Sequence, residues 1–144
     1  MTGESRVSIR VSHRYDASPE RVYDAWLDPA KAGKFLFATP TGQMVRAEID
    51  PCVGGRFCFT DRRDGDDVDH VGEYLELDRP RRIVFSFAVP KYSAEKTTVT
   101  VDIVPRGRGS ELTLTHDGVL PDYGDRTESG WSGILEGLEH LLAG

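Results

Sequence analysis

Three side chains of this sequence could handle protons near neutral pH from inside a folded core: His70, Tyr74 and His116. An imidazole titrates close to pH 6.5, so a histidine set among apolar walls can orient a bound molecule or exchange a proton with it. His70 and Tyr74 share one side of a strand by the period-two rule if Tyr74 faces inward, and Leu112, Leu114 and His116 share a side in the same way. The alternative for each histidine is a satisfied structural group, or a strand-end residue touching water. His13 and His140 rank below these three. The sequence holds no Ser-His-Asp spacing, no phosphate-binding glycine loop and no metal-ligand cluster. No catalytic residue is therefore assigned, and no cofactor or metal is expected.

The two cysteines, Cys52 and Cys58, flank the turn Val53-Gly54-Gly55. If that turn closes a hairpin, Cys52 sits near Gly55 and Cys58 opposite about Ile49, too far apart for a comfortable disulfide. Two thiols and scattered histidines do not supply a zinc site. Free thiols in a reducing compartment are the expectation, and with no apolar leader segment in MTGESRVSIRVSHRY the expected location is the cytoplasm.

The elements that must position these groups follow from hydrophobic periodicity. Val7, Ile9 and Val11 alternate with polar residues, as in a half-buried strand that can extend through Tyr15. Ser18-Pro19 is a helix-start signal, with Val22, Ala25 and Trp26 as the apolar side; Asp28-Pro29 ends that helix and caps a second through Phe35. Six strands follow. They carry Val45 to Ile49, Phe57 with Phe59, His70 to Leu77, Ile83 to Phe87, Val99 to Ile103, and Leu112 with Leu114. Short turns join them, so they read as an antiparallel meander. Asp61 to Asp67 reads as a polar, exposed connection.

The last element carries Trp131, Ile134, Leu135, Leu138, Leu141 and Leu142 at helical spacing, one apolar stripe of an amphipathic helix. Gly130, Gly133 and Gly137 align beside that stripe, and each costs about 1 kcal/mol relative to alanine in a helix. Close approach of the helix to the sheet is one reason to keep them; space left for a ligand is the other. The sum is one α+β domain over residues 1–144, with a core from about 7 to 143.

Composition bounds the partners. The chain has 144 residues, 38% hydrophobic and 29% charged, enough for one real core and short for two. A net charge of -6 disfavours passive attraction to nucleic acid, and no apolar run approaches the roughly 20 residues that span a bilayer. Nucleic-acid binding and stable membrane insertion are thus not expected, and a monomer or homodimer is.

The order of elements and several motifs resemble the START-like (SRPBCC) superfamily. Within it, the chain is similar to the bacterial branch related to the C-terminal domain of the activator of heat-shock-protein-90 ATPase. The residues that carry the likeness are Ala17 to Trp26 with Asp28-Pro29, the Val53-Gly54-Gly55-Arg56-Phe57 turn, and Gly72 to Leu77 with Pro80 to Phe87. Leu112 to Gly118 and Gly130-Trp131 complete it. The family often has tryptophan where this chain has Lys34-Phe35-Leu36-Phe37 and Phe87; both changes remove an indole donor and imply a drier pocket wall.

The resemblance implies a helix-grip fold: a curved seven-stranded antiparallel sheet around a long C-terminal helix, with two short helices after strand 1 and a cavity between sheet and helix. Its expected walls are Phe57, Phe59, His70, Tyr74, Phe85 and Phe87, then Val99, Val101, Leu112, Leu114 and His116. The helix adds Trp131, Ile134, Leu135 and Leu138, and Trp26 and Phe35 close one end. An apolar pocket with few polar groups is the usual form of a small-molecule site. The leading expectation is binding of a small apolar or amphipathic ligand. The alternatives are a cyclase- or hydrolase-like enzyme using His70, Tyr74 or His116, and a regulator of a heat-shock ATPase. Meander geometry also gathers Arg79, Arg81, Arg82, Arg106 and Arg108 at one end, a solvated surface or a docking patch for an acidic protein partner.

Overall fold

The structure is a computed structural model and describes residues 6–36, 42–91 and 96–143. Strand β1 (Val7–Tyr15) leads into helices α1 (Pro19–Leu27) and α2 (Pro29–Phe35). Six strands follow: β2 (Gln43–Ile49), β3 (Arg56–Arg63), β4 (Asp66–Asp78), β5 (Arg82–Phe87), β6 (Thr97–Arg106) and β7 (Gly109–Val119). A single 3₁₀ turn (Pro121–Tyr123) precedes the long helix α3 (Gly124–Ala143). The strands form one seven-stranded antiparallel sheet in the order β1-β7-β6-β5-β4-β3-β2. This is the α+β helix-grip arrangement.

Both short helices start as their capping residues dictate. The Ser18 hydroxyl accepts from Arg21 N at 3.2 Å and the Asp28 carboxylate from Ala30 N at 3.0 Å, each followed by proline at the first helical position. β1 clasps α3 from one side: Tyr15 OH donates to Leu135 O at 2.9 Å, and His13 Nε2 lies 2.5 Å from Glu139 Oε1. The Tyr15 bond uses a carbonyl deep in the helix, and burial holds this phenol well above its ordinary pKa.

The β4–β5 pairing is interrupted beside Gly72. Gly72 approaches β5 so closely that a Cβ there would lie 1.9 Å from Ser86 O, which no side chain can accept. The regular β4–β5 register breaks beside it and resumes as a lone bridge between Val71 and Ala88. Phe57, paired with Gly72 across the β3–β4 ladder, lays its ring over the gap. This crease lies where the β3–β4 ladder meets the end of β5.

Three expectations change. The Asp61–Asp67 stretch is no loose connection: β3 and β4 pair through Arg63↔Asp66, and the turn is only Asp64-Gly65, both at positive φ. That two-residue left-handed turn matches strand twist, which explains why aspartate and glycine stand there. Asp61 itself is fully buried. Cys58 lies opposite Glu48, one residue from the expected Ile49, and both cysteines are free thiols. Finally, the helix glycines do not bring α3 onto the sheet. Cβ atoms at Gly130 and Gly133 would meet open space, and one at Gly137 would lie 3.5 Å from Phe35 of α2.

The arginine-rich turns do share one end, but carboxylates answer them. Arg79 donates to both oxygens of Asp24, at 2.8 and 2.9 Å, and holds that carboxyl below its ordinary pKa. Arg81 pairs with Asp78, Arg82 reaches Glu76 and Asp102, and Arg106 binds Glu111. Exposed pairs of this kind add little stability. They do set a carboxylate beside each of Arg79, Arg81, Arg82 and Arg106.

Candidate functional site

The inner face of the sheet, together with α3, α1 and α2, encloses an interior lined almost wholly by carbon. At one end four rings meet. Phe87 lies 5.7 Å from His116 and 6.3 Å from Trp131, both edge-on, and runs nearly parallel to His70 at 6.1 Å. In the middle Phe57 touches Phe59, Tyr74 and Phe85, with centroids 5.8, 5.6 and 5.3 Å away. At the other end the Trp26 ring meets Phe35 at 5.5 Å and 80°. Val99, Val101, Leu112, Leu114, Leu135 and Leu138 fill the wall between these groups and are all buried, whereas Ile134 is half-buried on the margin of α3. The expected site residues thus fall into a ring cluster at each end, a central aromatic group and an aliphatic wall.

The polar groups of the first end form a directed chain. Trp131 Nε1–H donates to His116 Nδ1 at 3.0 Å. An indole can only donate, so this nitrogen of His116 carries no proton and the neutral ring is protonated at Nε2. Nε2–H therefore donates to Thr97 Oγ1 at 2.7 Å, and the Thr97 hydroxyl passes its own hydrogen to Phe87 O at 3.2 Å. Every donor in this chain has an acceptor. Burial pushes the His116 pKa down to about 4. To act as a base, His116 would have to displace the Trp131 indole from its lone pair.

His70 is held similarly. Its Nδ1 lies 3.3 Å from Phe59 O, and a carbonyl only accepts, so the ring proton sits on Nδ1. Burial is the main cause lowering its pKa, partly offset by that hydrogen bond. Burial likewise raises the Tyr74 phenol. Both histidines are thus neutral in this interior at physiological pH.

Three participants escape the sequence reading. Thr97 completes the chain from Trp131, and no spacing pattern marks a strand-start threonine for that role. Asp61 faces inward, paired with Arg63 Nε at 2.7 Å; its alternation with Phe57 and Phe59 is the signal that could have found it. Trp26 reads from the sequence as a wall, and no pattern there marks its polar atom. The ring is 2% exposed, and its Nε1–H meets no acceptor among the described residues. Two described grooves lie outside the interior. One, of about 450 Å³, opens on the outer side of the crease beside Arg56, Cys58, Glu73 and Lys96. The other, of about 530 Å³, lies between Tyr15-Asp16 and the end of α3. Among the described residues no group of three or more His, Cys, Asp or Glu could hold a metal ion, and no helix is long and apolar enough to cross a membrane.

Residues 16–143 match the family described as activator of Hsp90 ATPase homolog 1-like protein. Among solved structures, the chain is similar to the protein CV1439 from Chromobacterium violaceum. That likeness has 26% identity and a TM-score of 0.82, over 93% of this chain and 95% of that one. An AHSA1-like protein from Aeromonas hydrophila shares 23% identity at a TM-score of 0.82, over 95% of this chain and 92% of that one. A protein of unknown function from Staphylococcus aureus, SA2116, is 18% identical with a TM-score of 0.85, covering 97% and 95%. The last two likenesses bear on the fold alone. Among curated proteins none matches.

Proposed function

The chain belongs to the activator of Hsp90 ATPase homolog 1-like family, and from that premise we propose that it binds a small apolar or amphipathic molecule between the curved sheet and α3. The observation that carries this reading is the apolar lining, three aromatic groups around Trp26, Phe57 and Trp131 set in an aliphatic wall, in which the polar groups are few and mostly fixed by neighbours. Sites for small organic molecules have this composition. The two free thiols suit a reducing compartment, where we place the protein.

Acid–base catalysis is less well supported. His116 has its one lone pair engaged by Trp131, and a general base needs a lone pair offered to the substrate. Recognition of an acidic partner at the arginine end is also less well supported, because Asp24, Asp78, Asp102 and Glu111 already face Arg79, Arg81, Arg82 and Arg106.

Native mass spectrometry of the purified protein, followed by solvent extraction, tests the proposal. A stoichiometric apolar passenger, or a rise in Tm with an apolar metabolite panel, is the expected result. A clean apo mass with no thermal shift across the panel would overturn it.

A further inference from the structure

Resting on that binding reading, we infer that the ligand is an uncharged apolar molecule carrying one hydrogen-bond acceptor, a carbonyl or ether oxygen, and that Trp26 Nε1–H is the group that receives it. The indole N–H of Trp26 is buried and has no acceptor among the described residues. A buried donor in that condition costs about 1–3 kcal/mol, and buried tryptophan N–H groups ordinarily find a partner. The same chain supplies the control: Trp131, equally buried, has His116 in place.

The surroundings of Trp26 are apolar core. Its ring contacts Phe35, and Phe35 in turn sits beneath Gly137 on the flank of α3 turned toward α2. Gly133 and Gly130, further along α3, are solvent-exposed, so the open space beside them lies outside the interior.

The charge of the ligand follows from what lines the interior. Among the described residues no lysine or arginine is buried, and the one buried carboxylate is Asp61. Both buried histidines are neutral, His116 through the tautomer fixed above. A carboxylate or phosphate brought inside would meet no compensating cation, and the desolvation of such an ion is prohibitive without one. A neutral acceptor costs far less to desolvate and satisfies the orphan donor.

A matched set of probes tests the inference on the full chain: 2-acetylnaphthalene, 2-ethylnaphthalene and 2-naphthoate, alike in shape and different in the acceptor and its charge. Titrations are followed by calorimetry and by the two indole Hε1 resonances, assigned with Trp26→Phe and Trp131→Phe. The ketone is expected to bind about fivefold to tenfold more tightly than the hydrocarbon, the worth of one neutral hydrogen bond. Naphthoate is expected to bind more weakly than the ketone. The Trp26 Hε1 resonance should move with the ketone and not with the hydrocarbon, while that of Trp131 stays in place. In Trp26→Phe the preference for the ketone should shrink to within twofold. Equal binding of ketone and hydrocarbon, a preference surviving in Trp26→Phe, or tightest binding of naphthoate would each overturn the inference while leaving interior binding intact. If no probe binds and the purified protein carries no passenger, both the inference and the binding reading fall. The resonance shift is read on the unaltered protein, so the test stands even if Trp26→Phe folds poorly.

Discussion

The two ends of the interior each bury one tryptophan, and the two indoles are treated in opposite ways. At the α3 end, Trp131 donates to His116, which donates to Thr97, which donates to the β5 backbone. At the end built from the short helices, Trp26 has the same kind of donor and the described residues give it nothing. In one region hydrogen bonding is complete and the side chains are locked in a single tautomer. In the other it is one acceptor short. A complete chain stabilises the fold and leaves nothing for a ligand to satisfy; an incomplete one weakens the fold slightly and leaves a donor that an added acceptor can satisfy. The difference separates a histidine with every hydrogen bond made from a tryptophan whose donor is open, where residue type alone does not.

The sharpest way to break this comparison is to remove the centre of the complete chain. His116→Leu strips Trp131 of its acceptor and Thr97 of its donor, and should cost about 3 kcal/mol of unfolding free energy at pH 7, read by urea denaturation. If the loss is below 1 kcal/mol, the chain is not a structural unit.

Acid should attack the same end by degrees. The folded pKa of His116 is near 4 and its unfolded value is the ordinary one near 6.5, so the unfolded chain binds the proton first. The stabilisation is complete above about pH 6.5 and is lost as pH falls toward 4, by up to about 3 kcal/mol. Denaturation midpoints across that window should fall with acid in the unaltered protein and fall less in His116→Leu. Parallel pH profiles would mean that His116 does not carry the effect.

The smallest effect sharpens the comparison most. Trp131→Phe and Trp26→Phe remove similar ring volume, but only the first orphans a partner. Trp131→Phe should therefore be the more destabilising by about 1–2 kcal/mol, and equal losses would show that the Trp26 donor is as well satisfied as that of Trp131.

Much of this architecture is legible in the sequence because it is written in periods. The alternation of Val99, Val101 and Ile103, and the helical spacing of Trp131, Leu135 and Leu138, each depend on which side must be dry, and the structure buries all six. The short helices are equally legible, since Ser18-Pro19 and Asp28-Pro29 act within a few residues of themselves. What is not legible depends on contacts between distant segments. Asp61 looks like the first residue of a polar loop until β4 pairs opposite it. Thr97 becomes a relay only because β7 brings His116 within 2.7 Å. The glycines of α3 invite a guess about close packing, which holds for Gly137 against a helix and fails for the other two. The candidate walls follow from pattern; whether a donor among them lacks a partner is decided in three dimensions.

The sheet order has a kinetic consequence. From β2 to β7 every neighbour in the sheet is also the neighbour in the chain, so this part can assemble by successive hairpins, each closing a short loop. The pairing of β1 with β7 joins Val11 to Leu114 and so closes a loop of roughly 100 residues, for which the entropy term of about (3/2)RT ln n is near 4 kcal/mol. Such distant contacts govern the folding rate of small domains. β1 also holds α3 through Tyr15, so the strand that arrives at greatest entropic cost is the one that fastens the helix over the interior. The loop closed by β1 and β7 is the longest in the sheet, and its closure is expected to set the refolding rate, which stopped-flow refolding of Val11 and Leu114 variants would check.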